Sequence, residues 1–424
     1  MAINALYLHL PFCRARCAYC DFETRAYGPA ALERAAAGYV DALIGRLEAF
    51  AQTGALEEVR TVYIGGGTPT AAGAHLVRLV EAVRRRCAPK EFSCEANPES
   101  FTEEMAAALE RAGVTRVSIG VQSLDDAELE SVGRIHTAAQ ALAALERARA
   151  HGFATSCDLI CGLPGQTEAS WEATLRAAVA AGPGHVSVYP LMLEEGTPLA
   201  RRVAAGELEV PDDDFQADAM LFARALLVAA GYAPYEVASY AMPGSACRHN
   251  IAYWTGVEYL GLGRSAASML AVETYRTLAP LFGEGGEAPI FEGGSRVRLA
   301  QRDDAASRFE RECLSAREAA AEDLMLACRM TRGVPVALLA RAAAVIPPDQ
   351  LARCCGRAVE LGLARWVDST GTPLAGDKSA GRAPGSGTAW PPGSCALAPT
   401  EAGWLRGNEL YELFWCLAED PDIQ

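Results

Sequence analysis

The chain has 424 residues, 50% of them hydrophobic and 21% charged, enough for one large globular domain and a smaller one. Its formal net charge of -15 argues against the broad basic footprint of a protein that coats nucleic acid or anionic membrane. No apolar run reaches the ~18 residues of a membrane span. Met1–Leu10 has neither the basic start nor the apolar length of a signal peptide, so the 14 cysteines are expected in a reducing cytoplasm.

In chain order, short β-branched or apolar runs predict strands at Ala5–Leu10, Thr61–Ile64, Glu91–Ala96, Val117–Val121, Thr155–Ile160 and His185–Pro190. Amphipathic helices are predicted between them at Gly38–Phe50, His75–Cys87, Thr102–Ala112, Ala138–His151 and Ser170–Ala181, with Asp213–Ala230 after the last strand. The six βα units predict an α/β fold, a parallel sheet curled into a partial (βα)6 barrel over residues 1–243. Residues 244–311 read as an irregular connecting segment. Residues 312–424 read as a small helical or winged-helix-like domain, with a Ser315/Glu318 capping box and a helix at Pro399–Leu417. Its hairpin, Ala364–Leu397, is interrupted by a Gly/Ser/Pro/Ala-rich stretch, Ala375–Ser394, expected to be a flexible insert.

In parallel sheets of this kind, chemistry collects beyond the carboxyl ends of the strands. The unusual residues fall there. After the first strand comes His9-Leu-Pro-Phe-Cys13-Arg-Ala-Arg-Cys17-Ala-Tyr-Cys20-Asp-Phe22. Three thiolates in C-x3-C-x2-C spacing can hold three irons of a 4Fe-4S cluster and leave the fourth iron open. Arg14 and Arg16 are expected to offset the negative charge. A zinc site is the alternative, but it wants a fourth ligand, and His9 points along the strand. The open iron suits chelation by S-adenosylmethionine.

This loop resembles the radical SAM signature. Leu6-Tyr-Leu-His-Leu-Pro-Phe-Cys13 and Cys20-Asp-Phe22 are similar to the oxygen-independent coproporphyrinogen III oxidase-like family, and within it to the heme chaperone branch, HemW. The resemblance runs over nearly the whole chain. It implies a 4Fe-4S cluster on Cys13, Cys17 and Cys20, with S-adenosylmethionine contacted by Tyr7, Tyr19, Gly66, Gly67, Thr68, Glu95, Gln122, Arg134, Asp158 and, through backbone, Met192. From the residues alone, Gly65-Gly-Gly-Thr-Pro-Thr70 is either a tight turn or a cofactor cradle offering close approach and N–H donors. Glu95 and Asp158 are either structural or acceptors for ribose hydroxyls or an ammonium group, and Arg134 either structural or a partner for a carboxylate.

Arg248-His-Asn-Ile-Ala-Tyr-Trp254 reads either as an aromatic packing corner or as an axial ligand with flat stacking faces. It resembles the HNxxYW motif of the heme chaperones, which implies heme contacts from His249, Asn250, Tyr253 and Trp254, with Arg248 offered to a propionate. The family usually follows with a Gly-rich run ending Gly-Ala-His. Here Tyr259-Leu-Gly-Leu-Gly-Arg-Ser-Ala-Ala-Ser268 has Arg264 and Ala267, and the histidine is missing.

The resemblance implies heme as cargo, apo-hemoprotein recipients, and an electron donor such as flavodoxin or ferredoxin where radical chemistry occurs. It admits a homodimer. The alternatives are coproporphyrinogen III oxidation and another radical SAM reaction such as methyl transfer or cyclopropanation. Two features favour the chaperone: the cysteine loop starts at Cys13, with no N-terminal arm before it, and Asp21-Phe22 stands where the oxidases have Gly-Cys. No residue is assigned a catalytic role.

Overall fold

The computed structural model describes residues 3–283, 293–306, 308–374 and 393–419. The insert expected at 375–394 lies, but for its last two residues, outside the described residues.

Six strands run parallel and adjacent in chain order: β1 (Ala5–Leu10), β2 (Thr61–Gly66), β3 (Glu91–Ala96), β4 (Arg116–Gln122), β5 (Ala154–Cys161) and β6 (His185–Pro190). Alternation explains their two faces. Leu6, Leu8, Val62, Ile64, Phe92, Cys94, Val117, Ile119, Cys157, Leu159, Val186 and Val188 are fully buried. The opposite parity carries Tyr63, Ser93, Glu95, Ser118, Asp158, Ser187 and Tyr189, which line one internal cavity of about 320 Å³. Adjacent strands stand ~4.8 Å apart, so β2 and β6 would be roughly 19 Å apart in a flat sheet. That Tyr63 and Tyr189 line the same cavity requires the sheet to curl, the partial (βα)6 barrel that the sequence predicts.

The connecting helices are α1 (Pro29–Gln52), α2 (Ala74–Arg86), α3 (Glu103–Ala112), α4 (Ala138–Ala150) and α5 (Glu168–Ala181), followed by α6 (Asp213–Ala229). Helices α3 to α6 begin on side-chain caps at Thr102, Thr137, Thr167 and Asp212. Helix α1 starts well before the expected Gly38, because Pro29 sits in its first turn and the Ala-rich opening carries little periodicity.

The described residues of 244–311 are not irregular. After β7 (Ala233–Pro234) and β8 (Ser239–Ala241) at one edge, they form α7 (Arg248–Trp254), then β9 (Tyr259–Leu262), which joins β1 in parallel. Strands β10 (Ala267–Ala271), β11 (Gly294–Gln301) and β12 (Phe309–Ser315) extend that edge antiparallel. Among the described residues the sheet thus has 12 strands. The charged ladder hid this edge: Arg298 opposes Glu312 across β11 and β12 at 3.4 Å, an alternation that reads as solvated loop.

Helices Ala316–Ala327, Val336–Ala342 and Pro348–Glu360 precede a hairpin of Ala364–Val367 with Ala396–Pro399, and Val334–Pro335 adds a third strand. The Ser315/Glu318 capping box is present. The single helix expected at Pro399–Leu417 is broken into Glu401–Leu405 and Gly407–Trp415, because Arg406 leaves helical geometry (ψ 41°). Gly403 packs flush on the Leu363 carbonyl, where an added Cβ would stand 1.8 Å from the oxygen.

Candidate functional site

Beyond Pro11 the chain leaves β1, and Phe12–Cys13 pairs in parallel with Arg25–Ala26, closing the cysteine loop at both ends. Cys13 is buried, Cys17 and Cys20 are half-buried, and all three are free thiols lining the cavity mouth. Arg134 Nη1 donates to Cys17 Sγ at 3.4 Å, and Thr68 Oγ1 to Cys13 Sγ at 3.7 Å. Arg14 and Arg16, expected to offset the sulfur charge, donate instead to the carbonyls of Glu99 and Cys20. Both nitrogens of His9 are engaged, Nδ1 with the Tyr7 hydroxyl at 3.0 Å and Nε2 with the Glu23 carbonyl at 3.2 Å. Among the described residues no group of three His, Cys, Asp or Glu is arranged to hold a single metal ion.

The Gly65–Thr70 run follows β2, but its amides are not free donors. Gly66 N donates to Glu95 Oε2, Gly67 N to the Leu10 carbonyl and Thr68 N to the Phe12 carbonyl. The glycines provide closeness instead. A Cβ on Gly67 would stand 2.5 Å from the Phe12 oxygen and 2.9 Å from Cys13 Sγ.

Glu95 also accepts from the Tyr63 hydroxyl at 2.9 Å, and burial pushes its carboxyl up to about 7 against those two donors. Gln122 closes β4 with φ 68° beside a register shift, a left-handed conformation that bends the strand end at the cavity wall. Arg134 Nη2 binds Asn97 Oδ1 at 3.0 Å and the Gly120 carbonyl at 2.7 Å. Asp158 accepts from Ser118 at 2.7 Å and Ser156 at 3.1 Å, and burial raises its carboxyl from the ordinary range. Tyr19, Gly66, Gly67, Thr68, Glu95, Gln122, Arg134 and Asp158 therefore meet at one cavity. Tyr7 does not reach it: its ring stacks against Tyr63, centroids 6.3 Å apart. Met192 does not line it either and is 65% exposed.

Helix α7 carries the second expected group. Glu91 caps its N-terminus, accepting from the amides of Arg248 and His249 at 3.0 and 2.9 Å. His249 is 1% exposed, bonded through Nδ1 to Thr61 Oγ1 at 3.0 Å, stacked on Tyr63 at 5.2 Å and edge-on to Tyr253 at 5.0 Å. Its Nε2 is buried without a hydrogen-bond partner, and burial pushes the imidazole down to about 3, so it is neutral. Trp254 packs under the Arg329 guanidinium at 5.0 Å. Only Asn250 of this motif lines the barrel cavity.

Arg264, in place of the family histidine, ties the end of β9 to the cysteine loop: its Nε lies 2.6 Å from Glu23 Oε1.

The radical SAM superfamily model matches residues 7–178. Over 349 residues, 80% of this chain and 84% of the relative, the sequence is 40% identical to the heme chaperone HemW of Mycobacterium tuberculosis. The chain belongs to the HemW family. A further HemW, from Lactococcus lactis, is 33% identical over 78% of this chain and 83% of its own. The chain also shares its fold with coproporphyrinogen III oxidase (HemN) of Escherichia coli, at 20% identity and a TM-score of 0.71, over 97% of this chain and 90% of that one.

Sequence reasoning missed the lower half of the cavity of this HemW-family barrel. Ser93, Arg116, Ser118, Ser156, His185, Ser187 and Cys247 line it. The signal was present as polar residues at period two within otherwise apolar strands, as in Arg116-Val-Ser-Ile-Gly-Val-Gln122.

Proposed function

We propose that this chain is a heme chaperone that carries a 4Fe-4S cluster on Cys13, Cys17 and Cys20, binds S-adenosylmethionine beside it, and passes heme to apo-hemoproteins. The observation that carries the reading is three free thiols at one cavity mouth, with the Arg134 cation against one sulfur, in a chain 40% identical to a HemW. The donor set fits a cluster: three soft ligands, hydrogen-bond donors on two of them, and bare Gly67 backbone where a side chain would strike Cys13. A reduced cluster supplies the electron that can cleave the sulfonium of bound S-adenosylmethionine.

Within this reading each protein group has a task. Gly66 and Gly67 let the cofactor approach, Glu95 accepts from its ammonium or hydroxyl groups, and Tyr19, Thr68, Gln122, Arg134 and Asp158 complete the wall. Tyr7 acts from behind by fixing Tyr63 and His9. Met192 contributes through backbone at the rim. Neutral His249 offers Nε2 to heme iron, with Asn250, Tyr253 and Trp254 around it and exposed Arg248 facing a propionate. Because His249 is sealed by Tyr63, Tyr253 and Thr61, ligation requires α7 to swing outward. The protein works in the cytoplasm, as a monomer or a homodimer, with a flavodoxin- or ferredoxin-type donor where the radical is made.

The test is one anaerobic experiment on reconstituted protein: a heme titration alongside incubation with coproporphyrinogen III and S-adenosylmethionine. Tight heme binding without vinyl product supports the chaperone; turnover replaces it with the oxidase reading. Arg248→Ala with undiminished heme affinity would remove the propionate contact.

A further inference from the structure

The floor of the barrel, below the cysteine loop, carries a buried cation that has no direct ion pair among the described residues. Arg116 opens β4 and is 4% exposed. Its Nη1 donates to the Ser245 carbonyl at 2.9 Å, while Nη2 is buried with no partner. It makes no ion pair with any described residue. Burying a guanidinium without a counter-charge is costly, and proteins that tolerate it generally supply an anion.

The acids in the surrounding wall are already committed. Glu91 holds the amides that start α7, Asp158 accepts from Ser118 and Ser156, and Glu95 accepts from Tyr63 and Gly66. The charge of Arg116 is felt by its neighbours: burial and then Arg116 hold His185 well below the ordinary imidazole range, and Arg116 also draws the Asp158 carboxyl down, a small effect against the burial that raises it.

A second unsatisfied group stands beside it. Ser93 pairs with Arg116 in register across β3 and β4, so both side chains share the inward face about 4.8 Å apart along the sheet. Ser93 Oγ is also buried without a partner, and the serine is 1% exposed. Both residues line the cavity, with Asn250 and Cys247 of the α7 start among the other lining residues. One cationic and one neutral donor, adjacent and aimed into a cavity, match the two oxygens of a carboxylate.

We propose that the floor of the barrel is a binding site for a small carboxylate molecule, held by Arg116 and Ser93 beneath the S-adenosylmethionine site. The carboxylate of S-adenosylmethionine held at the cysteine loop is excluded by reach: from Gln122 to Arg116 the strand spans roughly 20 Å at ~3.3 Å per residue. The occupant is a separate, compact acid that enters the barrel.

The test uses the full-length, anaerobically reconstituted protein saturated with S-adenosylmethionine, titrated calorimetrically with propionate and with succinate, and with chloride at matched ionic strength. Saturable carboxylate binding is expected, weakened at least about tenfold by Arg116→Met and two- to tenfold by Ser93→Ala. Both variants should keep the spectral response of the cluster to S-adenosylmethionine, which separates this proposal from the cluster reading. Ser93→Ala keeps the test decisive should Arg116→Met fail to fold. No saturable binding, equal affinity in Ser93→Ala, competition with S-adenosylmethionine, or equal binding of chloride would each overturn it.

Discussion

Arg134 joins two elements of the site, donating through Nη1 to Cys17 Sγ at 3.4 Å and through Nη2 to the Gly120 carbonyl at 2.7 Å. The cation that faces sulfur thus comes from a residue 117 positions away rather than from the arginines inside the cysteine loop. Hydrogen bonds and positive charge at cluster sulfurs favour the reduced state. Arg134→Gln is expected to lower the cluster midpoint by roughly 60 mV, the equivalent of ~1.4 kcal/mol for one electron. Redox titration followed by EPR reads this, and an unchanged midpoint would count against the contact.

Gly67→Ala is expected to keep the fold and lose the cluster. The added Cβ meets the backbone oxygen of Phe12 and Cys13 Sγ, so the cysteine loop must shift rather than a flexible side chain. Iron content after reconstitution should fall severalfold while far-ultraviolet circular dichroism stays like wild type.

Glu95 gives a pH signature. Its folded carboxyl lies at about 7, above the ordinary 4.5, because burial disfavours the charged form. Its contribution to stability is therefore complete below about 4.5 and is lost as pH rises through about 7. Affinity for S-adenosylmethionine has the opposite slope where Glu95 accepts from the ligand as a carboxylate, rising between pH 6 and 8. Glu95→Gln should flatten both trends, seen in melting temperature and in cofactor titrations across that range.

The parallel sheet was legible because alternation in strands such as Glu91–Ala96 and His185–Pro190 and the capping threonines before α3 to α5 are local signals. That the cysteines, Gly65–Thr68, Glu95 and Gln122 cluster was legible from their places at strand ends, whereas Tyr19 and Arg134 entered only through the family resemblance. The edge strands β10 to β12 did not, since Arg298 against Glu312 is a tertiary pairing that looks like a solvated loop in one dimension. Nor did Ser93 beside Arg116, because register between strands is invisible until they are paired. The engagement of Gly66, Gly67 and Thr68 amides by the chain itself was likewise a matter of packing.

The buried position of His249 predicts slow heme capture. Thr61→Val removes the hydroxyl that holds Nδ1 at 3.0 Å and should loosen α7, speeding heme association in stopped-flow mixing. His249→Ala should abolish the axial-ligand spectrum and cost about 1–3 kcal/mol of stability from the lost packing and hydrogen bond. A heme spectrum unchanged in His249→Ala would move the ligand elsewhere.

The most direct measurement is iron and acid-labile sulfide per chain in anaerobically reconstituted wild type, set against Cys17→Ser, with EPR of the reduced protein before and after S-adenosylmethionine. The wild type should carry a 4Fe-4S complement whose signal changes when the cofactor is added, and Cys17→Ser should carry far less iron. A wild type without iron and sulfide, or a cluster signal indifferent to S-adenosylmethionine, would contradict the account.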